Sequence, residues 1–187
     1  MLYSEIYTYI HDILVQIPWF HWLVGGVLAL AVTLFQLIGK KRSVYVSILL
    51  GITVFVGLLL LETAVVLRYC GIVHHATGYF NKLDLGRFHD SIARKEVISN
   101  ITVFVPFGFF LSEYLAATKR RGFWRRLICS ALVAFLLSLL IEFLQIFLHV
   151  GFFDVTDLVM NTVGGLTGAC MASLLKFAIN GYRQKHT

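Results

Sequence analysis

The sequence predicts an all-α polytopic membrane protein: a five-transmembrane-helix bundle with its N-terminus outside and its C-terminus in the cytoplasm. Three observations predict it. Apolar residues make up 58% of the chain and charged ones only 14%, far from the mixture that covers a soluble surface. Five apolar runs reach the roughly 20 residues needed to cross a hydrocarbon core about 30 Å thick. Lys and Arg gather in alternate connections, as the positive-inside rule requires.

Taken in order, Met1 to Gln16 place Ile6, Tyr9, Ile10, Ile13 and Leu14 at helical spacing. That pattern fits an N-terminal interfacial helix on the outer surface. The first span, Pro18 to Gly39, lacks the basic leader of a cleavable signal and ends at Lys40-Lys41-Arg42, so it is expected to be retained. The others run from Val44 to Leu67, Val97 to Ala117, Leu127 to Val150 and Leu158 to Ile179. The longest connection, Arg68 to Glu96, is too short to bury a core of ordinary domain size. One domain, residues 1–187, is therefore expected.

The net charge of +6 does not point to nucleic acid, because the cations follow membrane orientation. Lys40, Lys41 and Arg42 occupy one short loop, Lys119, Arg120, Arg121, Arg125 and Arg126 another, and Lys176, Arg183 and Lys185 lie near the C-terminus. All three groups become cytoplasmic when the N-terminus is outside. The expected partners are membrane lipids and a lipid-linked or acylated small molecule. Cys70, Cys129 and Cys170 show no pairing pattern and are expected to pack. His74, His75, His89 and Asp90 of the outer loop match no zinc spacing, so they are expected as solvated surface groups and no metal site is assigned. The cofactor is left open: Asp154 and Asp157 could hold a divalent cation through oxygen, but no third ligand is defined.

A charge at the centre of a span costs on the order of 2.5–3.5 kcal/mol on insertion scales, so the depth of each polar group is informative. Ser138, Glu142, Gln145 and His149 follow at steps that align them on one face of the fourth span. Glu142 lies roughly 12 Å below the outer end at about 1.5 Å per residue. The fifth span enters from the same side with Asp154, Asp157 and Asn161, and its line continues through Gly164 and Gly168, a close-packing pattern. Ser99 and Asn100 of the third span, and Glu62 of the second, reach the same depth. The inner half offers Thr33, Gln36, Ser47, Thr53, Ser112, Glu113, Ser130 and Ser173, mostly weakly polar. Packing alone needs neither two aspartates nor a deep glutamate, so the outer cluster is taken as a site.

The segments "SNITVFVPFGFFL", "SLLIEFLQ" and "DVTDLVMNTVGGLTG", in this order, resemble the VanZ-like membrane proteins, which are associated with resistance to the lipoglycopeptide teicoplanin. The similarity covers Ser99 to Gly168. The resemblance implicates Asn100, Phe104, Pro106 and Gly108, then Ser138, Glu142 and Gln145, then Asp154, Asp157, Asn161, Gly164 and Gly168. The chain departs from the family pattern where many members have an arginine just before the aspartates; Gly151 stands near that place. An anion contact would fall here to Arg87, Arg94 or Lys95.

Two functions follow from the cluster. The first is an enzyme at the outer leaflet acting on a lipid-linked or glycan component of the envelope of a bacterial cytoplasmic membrane. Glu142, in apolar surroundings, is the expected proton donor, and Asp157 or Asp154, nearer water, the base or ligand. Asn100, Gln145 and Asn161 would orient a polar headgroup. The second is a non-catalytic protein that shields an acylated molecule, with Phe104, Phe107, Phe143 and Phe147 around the apolar tail. A transporter is disfavoured by the absence of internal repeats. Ser138 has no nearby base and is expected as a packing hydroxyl rather than a nucleophile.

Overall fold

The computed structural model describes residues 7, 11, 15, 19–40, 42–66, 80–88, 91–119 and 122–186. Cys70, His74, His75, His89 and Asp90 lie outside the described residues. Of the N-terminal interfacial helix only Tyr7, His11 and Val15 are described, each helical and exposed.

Among the described residues five helices are long and apolar enough to cross a membrane, and the chain is a multi-pass integral membrane protein. Helix α1 (Trp19–Leu34) runs into a π-helical turn at Phe35–Gly39. Ser43 caps α2 (Val44–Leu61), its hydroxyl accepting from the Val46 amide at 3.4 Å. A second π turn, Glu62–Val66, continues α2. Beyond it come a short strand β1 (Phe80–Asn81), a 3-10 turn at Leu85–Phe88, α3 (Ser91–Lys119) and α4 (Phe123–Phe147). A second short strand, β2 (Phe153–Asp154), leads into α5 (Val155–His186).

Helix boundaries depart from the apolar runs wherever polar residues continue a helix into the interface. Helix α3 begins at Ser91, so Arg94 and Lys95 belong to its first turns rather than to a loop. Helix α4 begins at Phe123, which draws Arg126 into the bundle, and its last helical residue is Phe147, which leaves His149 and Val150 outside. Pro106 sits within α3 and faces outward, and the helix continues through it.

Helices α3 and α5 share the largest interface, and their glycines explain how closely they approach. A Cβ at Gly164 would collide with the Ile101 carbonyl, one at Gly168 with the Val105 carbonyl, and one at Gly108 with the Gly165 carbonyl. Gly165 in turn faces Ala134 of α4. Small residues thus let three backbones meet, the packing that substitutes for hydrophobic drive inside lipid. Beside this seam Leu60, Val65, Phe104, Phe107, Leu111, Ala134 and Ile141 form the apolar core. Helix α1 rests chiefly on α2 and leaves most of its side chains exposed, and α4 turns Ile128, Leu132, Leu136, Phe143 and Phe147 outward. In a membrane these faces meet lipid.

Candidate functional site

The site is built at the end of the bundle that carries the long 67–90 connection, where α4 reverses into α5. Helix α4 stops because His149 adopts φ 56°, the left-handed conformation usually left to glycine. The Val150 amide then donates to the Gln145 carbonyl at 2.9 Å and the His149 amide to the Ile146 carbonyl at 3.0 Å, the paired bonds of a Schellman termination. This reversal ends the polar stripe at Gln145. His149 is exposed beyond it, contrary to the single-face alignment expected from the spacing.

Past the reversal, β2 pairs in parallel with β1, matching Phe153 to Phe80 and Asp154 to Asn81. The Asp84 amide donates to the Thr156 hydroxyl at 3.1 Å, a second tie between the 80–88 segment and the head of α5. Thr156 is fully buried. Asp154 caps α5: its Oδ1 accepts from the amides of Thr156 at 2.8 Å and Asp157 at 3.4 Å, the second and third positions of the helix. Its own amide donates to Glu142 Oε2 at 2.7 Å.

Glu142 is therefore an α4 carboxylate held on the backbone at the head of α5, and only 1% of it is exposed. One turn to either side the same face makes further contacts. Asn161 Nδ2 donates to the Ser138 hydroxyl at 2.9 Å, both groups buried. Gln145 Nε2 donates to the Ala64 carbonyl at 3.0 Å, in the π turn that continues α2. Such turns displace carbonyls from the regular ladder, and a side-chain amide is a suitable donor for one.

The structure thus brings Glu142, Asp154, Asp157, Gln145 and Asn161 together. Asp157 lies half-buried in the first turn of α5. Asn100 is half-buried on α3, next to the Ile101 that meets Gly164, and so sits level with the second turn of α5. Phe104 lies in the apolar core, its ring edge-on to Phe107 at 6.3 Å between centroids. Since Phe143 and Phe147 point outward from α4, the four phenylalanines do not line one surface. Glu62 turns toward α1, where it pairs with His21, rather than toward the cluster. Ser138 is engaged by the Asn161 amide. Thr156 and Asp84 escaped sequence reasoning; the only signal for them was the Asp-x-Thr order at a helix start.

Of the cations expected to replace the missing arginine, Arg94 is half-buried in α3, and its Nε has no hydrogen-bond partner among the described residues. The side chain of Arg87 lies outside the described residues. Among the described residues, no three His, Cys, Asp or Glu groups converge as a metal site.

Comparison with known proteins gives the family. A family model described as VanZ/LLP1 matches residues 52–176, from α2 through most of α5. The chain belongs to the VanZ/LLP1 family. It is similar to Protein VanZ of Enterococcus faecium, 35% identical over 74 residues, which is 40% of this chain and 42% of that protein. The chain thus aligns with less than half the length of that relative. No solved structure matches the chain. The VanZ/LLP1 match contains Asn100, Phe104, Glu142, Gln145, Asp154, Asp157 and Asn161, whereas α1 precedes it.

Proposed function

We propose that this VanZ/LLP1 protein acts at the extracytoplasmic leaflet of a bacterial cytoplasmic membrane on a lipid-linked or glycan component of the envelope. The teicoplanin resistance associated with the family would follow from that action. One observation carries the reading: a fully buried carboxylate, Glu142, is fixed at the head of α5, one turn from the half-buried carboxylate of Asp157. Holding a backbone amide requires only a neutral acceptor. A carboxylate there adds an insertion cost that packing does not explain.

Orientation rests on charge, since Lys40, Arg42, Arg125, Arg126 and Lys176 all lie at the opposite end of the bundle. In this reading Asp157, less buried than Glu142, meets the substrate as base or ligand, and Glu142 is the proton donor. Asp154 is a positioning residue, because its carboxylate caps the helix that carries Asp157. Gln145 and Asn161 hold α2, α4 and α5 in register. Asn100 offers an amide, and Arg94 the anion contact that the family's arginine would make.

The test uses a teicoplanin-susceptible bacterium protected by the wild-type chain, with Asp157→Asn and Glu142→Gln variants present in the membrane at wild-type level. Both are expected to return the cells to full susceptibility; unaltered protection by both would sink the proposal. A second reading, non-catalytic binding of an acylated molecule, is favoured by the internal hydrogen bonds of Asp154, Gln145 and Asn161. It requires Glu142→Gln to be nearly silent while Asn100→Leu, which removes the amide, abolishes protection.

A further inference from the structure

At the opposite, basic end, the α3–α4–α5 seam continues beyond the glycines, and its polar groups behave differently. One turn past Gly108, Ala134 and Gly165 lie Ser112 on α3, Ser130 on α4 and Ala169 on α5; the next turn adds Ser173 and Arg126. All are buried, Arg126 to 9% exposure. Thr33, Ser47, Thr53, Thr63, Thr102, Thr118, Thr162 and Thr167 each donate to the carbonyl four residues back, the usual way a hydroxyl is satisfied in a membrane helix. The hydroxyls of Ser112, Ser130 and Ser173 do not, and they have no other partner among the described residues.

Arg126 makes the contrast stronger. Its Nε and Nη1 are both buried with no hydrogen-bond partner among the described residues. A guanidinium is always charged and carries donors only, so these two nitrogens call for an anionic oxygen. The acid at this end does not supply it: Glu113 Oε2 is engaged by Lys176 Nζ at 3.0 Å and by the Tyr45 hydroxyl at 3.3 Å. Glu113 Oε1 is buried and has no partner among the described residues, an acceptor suited to a hydroxyl rather than to an anion. Gly122 caps α4 without a side-chain bond, leaving the first amides of that helix directed at the same end.

We infer that this end of the seam binds the phosphate of an anionic phospholipid through Arg126, with the seam serines donating to its oxygens. Depth favours lipid over a soluble phosphate. Trp124 is largely exposed, as an aromatic residue at the headgroup level is expected to be, and Arg126 follows roughly 3 Å deeper along the helix. The inference stands apart from the function proposed for the other end.

Native mass spectrometry of the full chain in mild detergent, with equimolar phosphatidylglycerol and phosphatidylcholine, tests it. Wild type and Arg125→Gln should retain phosphatidylglycerol at activation energies that strip phosphatidylcholine. Arg126→Gln should lose that retention by at least about tenfold, the scale of one charge-assisted contact. The Ser112→Ala/Ser130→Ala double variant, which adds no bulk, should weaken retention with the arginine intact. Equal retention of the two lipids by wild type, or equal loss in the Arg125 and Arg126 variants, overturns the inference. An unchanged double serine variant removes the seam from it. Displacement of the lipid by inorganic phosphate, itself retained as an adduct, would make a soluble phosphate the ligand and overturn the lipid assignment.

Discussion

At the loop-bearing end of the bundle, Glu142, Asp154, Gln145 and Asn161 are each engaged with the protein's own backbone or hydroxyls. At the basic end Arg126, Ser112, Ser130 and Ser173 are also buried, and the Arg126 Nε and Nη1 and the three hydroxyls have no partner among the described residues. Buried polar groups in the same bundle thus play two roles. Where the chain must reverse and a helix must start under cover, buried polar groups act as scaffold. Where three helices already pack through glycine and alanine, such groups are not needed for the fold, and their unmet capacity points outward to a ligand. Burial alone therefore says little about a polar group in a membrane; its hydrogen-bond partner decides.

The comparison depends on one seam joining both ends, and the strongest way to break it is to open that seam. Gly164→Leu sets a side chain against the Ile101 carbonyl, and Gly108→Leu sets one against Gly165. Backbone cannot rotate away, so each is expected to cost more than the ~1–3 kcal/mol usual for overpacking. Loss of a monodisperse, cooperatively melting protein in detergent would be the readout. For that reason Gly164→Leu reports on folding and cannot probe a binding pocket.

Next in size is the split between scaffold and chemistry at Glu142. Glu142→Ala leaves the buried Asp154 amide without its acceptor, a loss of about 1–3 kcal/mol. Glu142→Gln keeps an acceptor oxygen in place and should stay within about 1 kcal/mol of wild type. Thermal melts should therefore separate the two variants, while protection against teicoplanin should be absent in both. A Glu142→Gln protein that protects fully would assign the carboxylate to the scaffold alone.

Asp154→Ala removes the cap of α5 and should cost about 0.5–2 kcal/mol, whereas Asp154→Ser retains an acceptor and should recover most of it. If Asp154 only positions Asp157, the serine variant also recovers protection. A serine variant that melts normally yet fails to protect would place Asp154 at the substrate.

The five spans were legible because hydrocarbon demands long apolar runs, and that signal survives without any knowledge of packing. The convergence of Glu142, Asp154, Asp157, Gln145 and Asn161 was legible from depth and helical spacing. Their partners were not. The Glu142 to Asp154 bond depends on the tight reversal through His149, a residue whose left-handed conformation nothing in its type announces. The π turn that presents the Ala64 carbonyl leaves no trace in an apolar sequence. Arg126 was hidden for another reason: an apolar run drawn from Leu127 leaves it among loop cations, and only the helix start at Phe123 carries it into the seam. Glu62 matched the cluster in depth but not in direction, because depth fixes one coordinate of a helix face and rotation fixes the other.

The smallest effect sharpens the comparison most directly, since it sets two buried serines of the same helix against each other. Ser138 accepts a hydrogen bond from Asn161 at 2.9 Å, and Ser130, two turns away on α4, makes none among the described residues. Ser138→Ala leaves the Asn161 amide without a partner and should destabilise by about 1 kcal/mol or more, with a double-mutant cycle against Asn161→Ala showing coupling of about 0.5–1.5 kcal/mol. Ser130→Ala removes a hydroxyl that had no partner to lose, so in lipid-free detergent its melt should match wild type or rise slightly. Added phosphatidylglycerol should then stabilise wild type more than Ser130→Ala, because a ligand raises stability only in proportion to its preference for the folded site. A Ser130→Ala protein destabilised as much as Ser138→Ala without lipid would mean that both ends of the bundle use their polar groups in the same way.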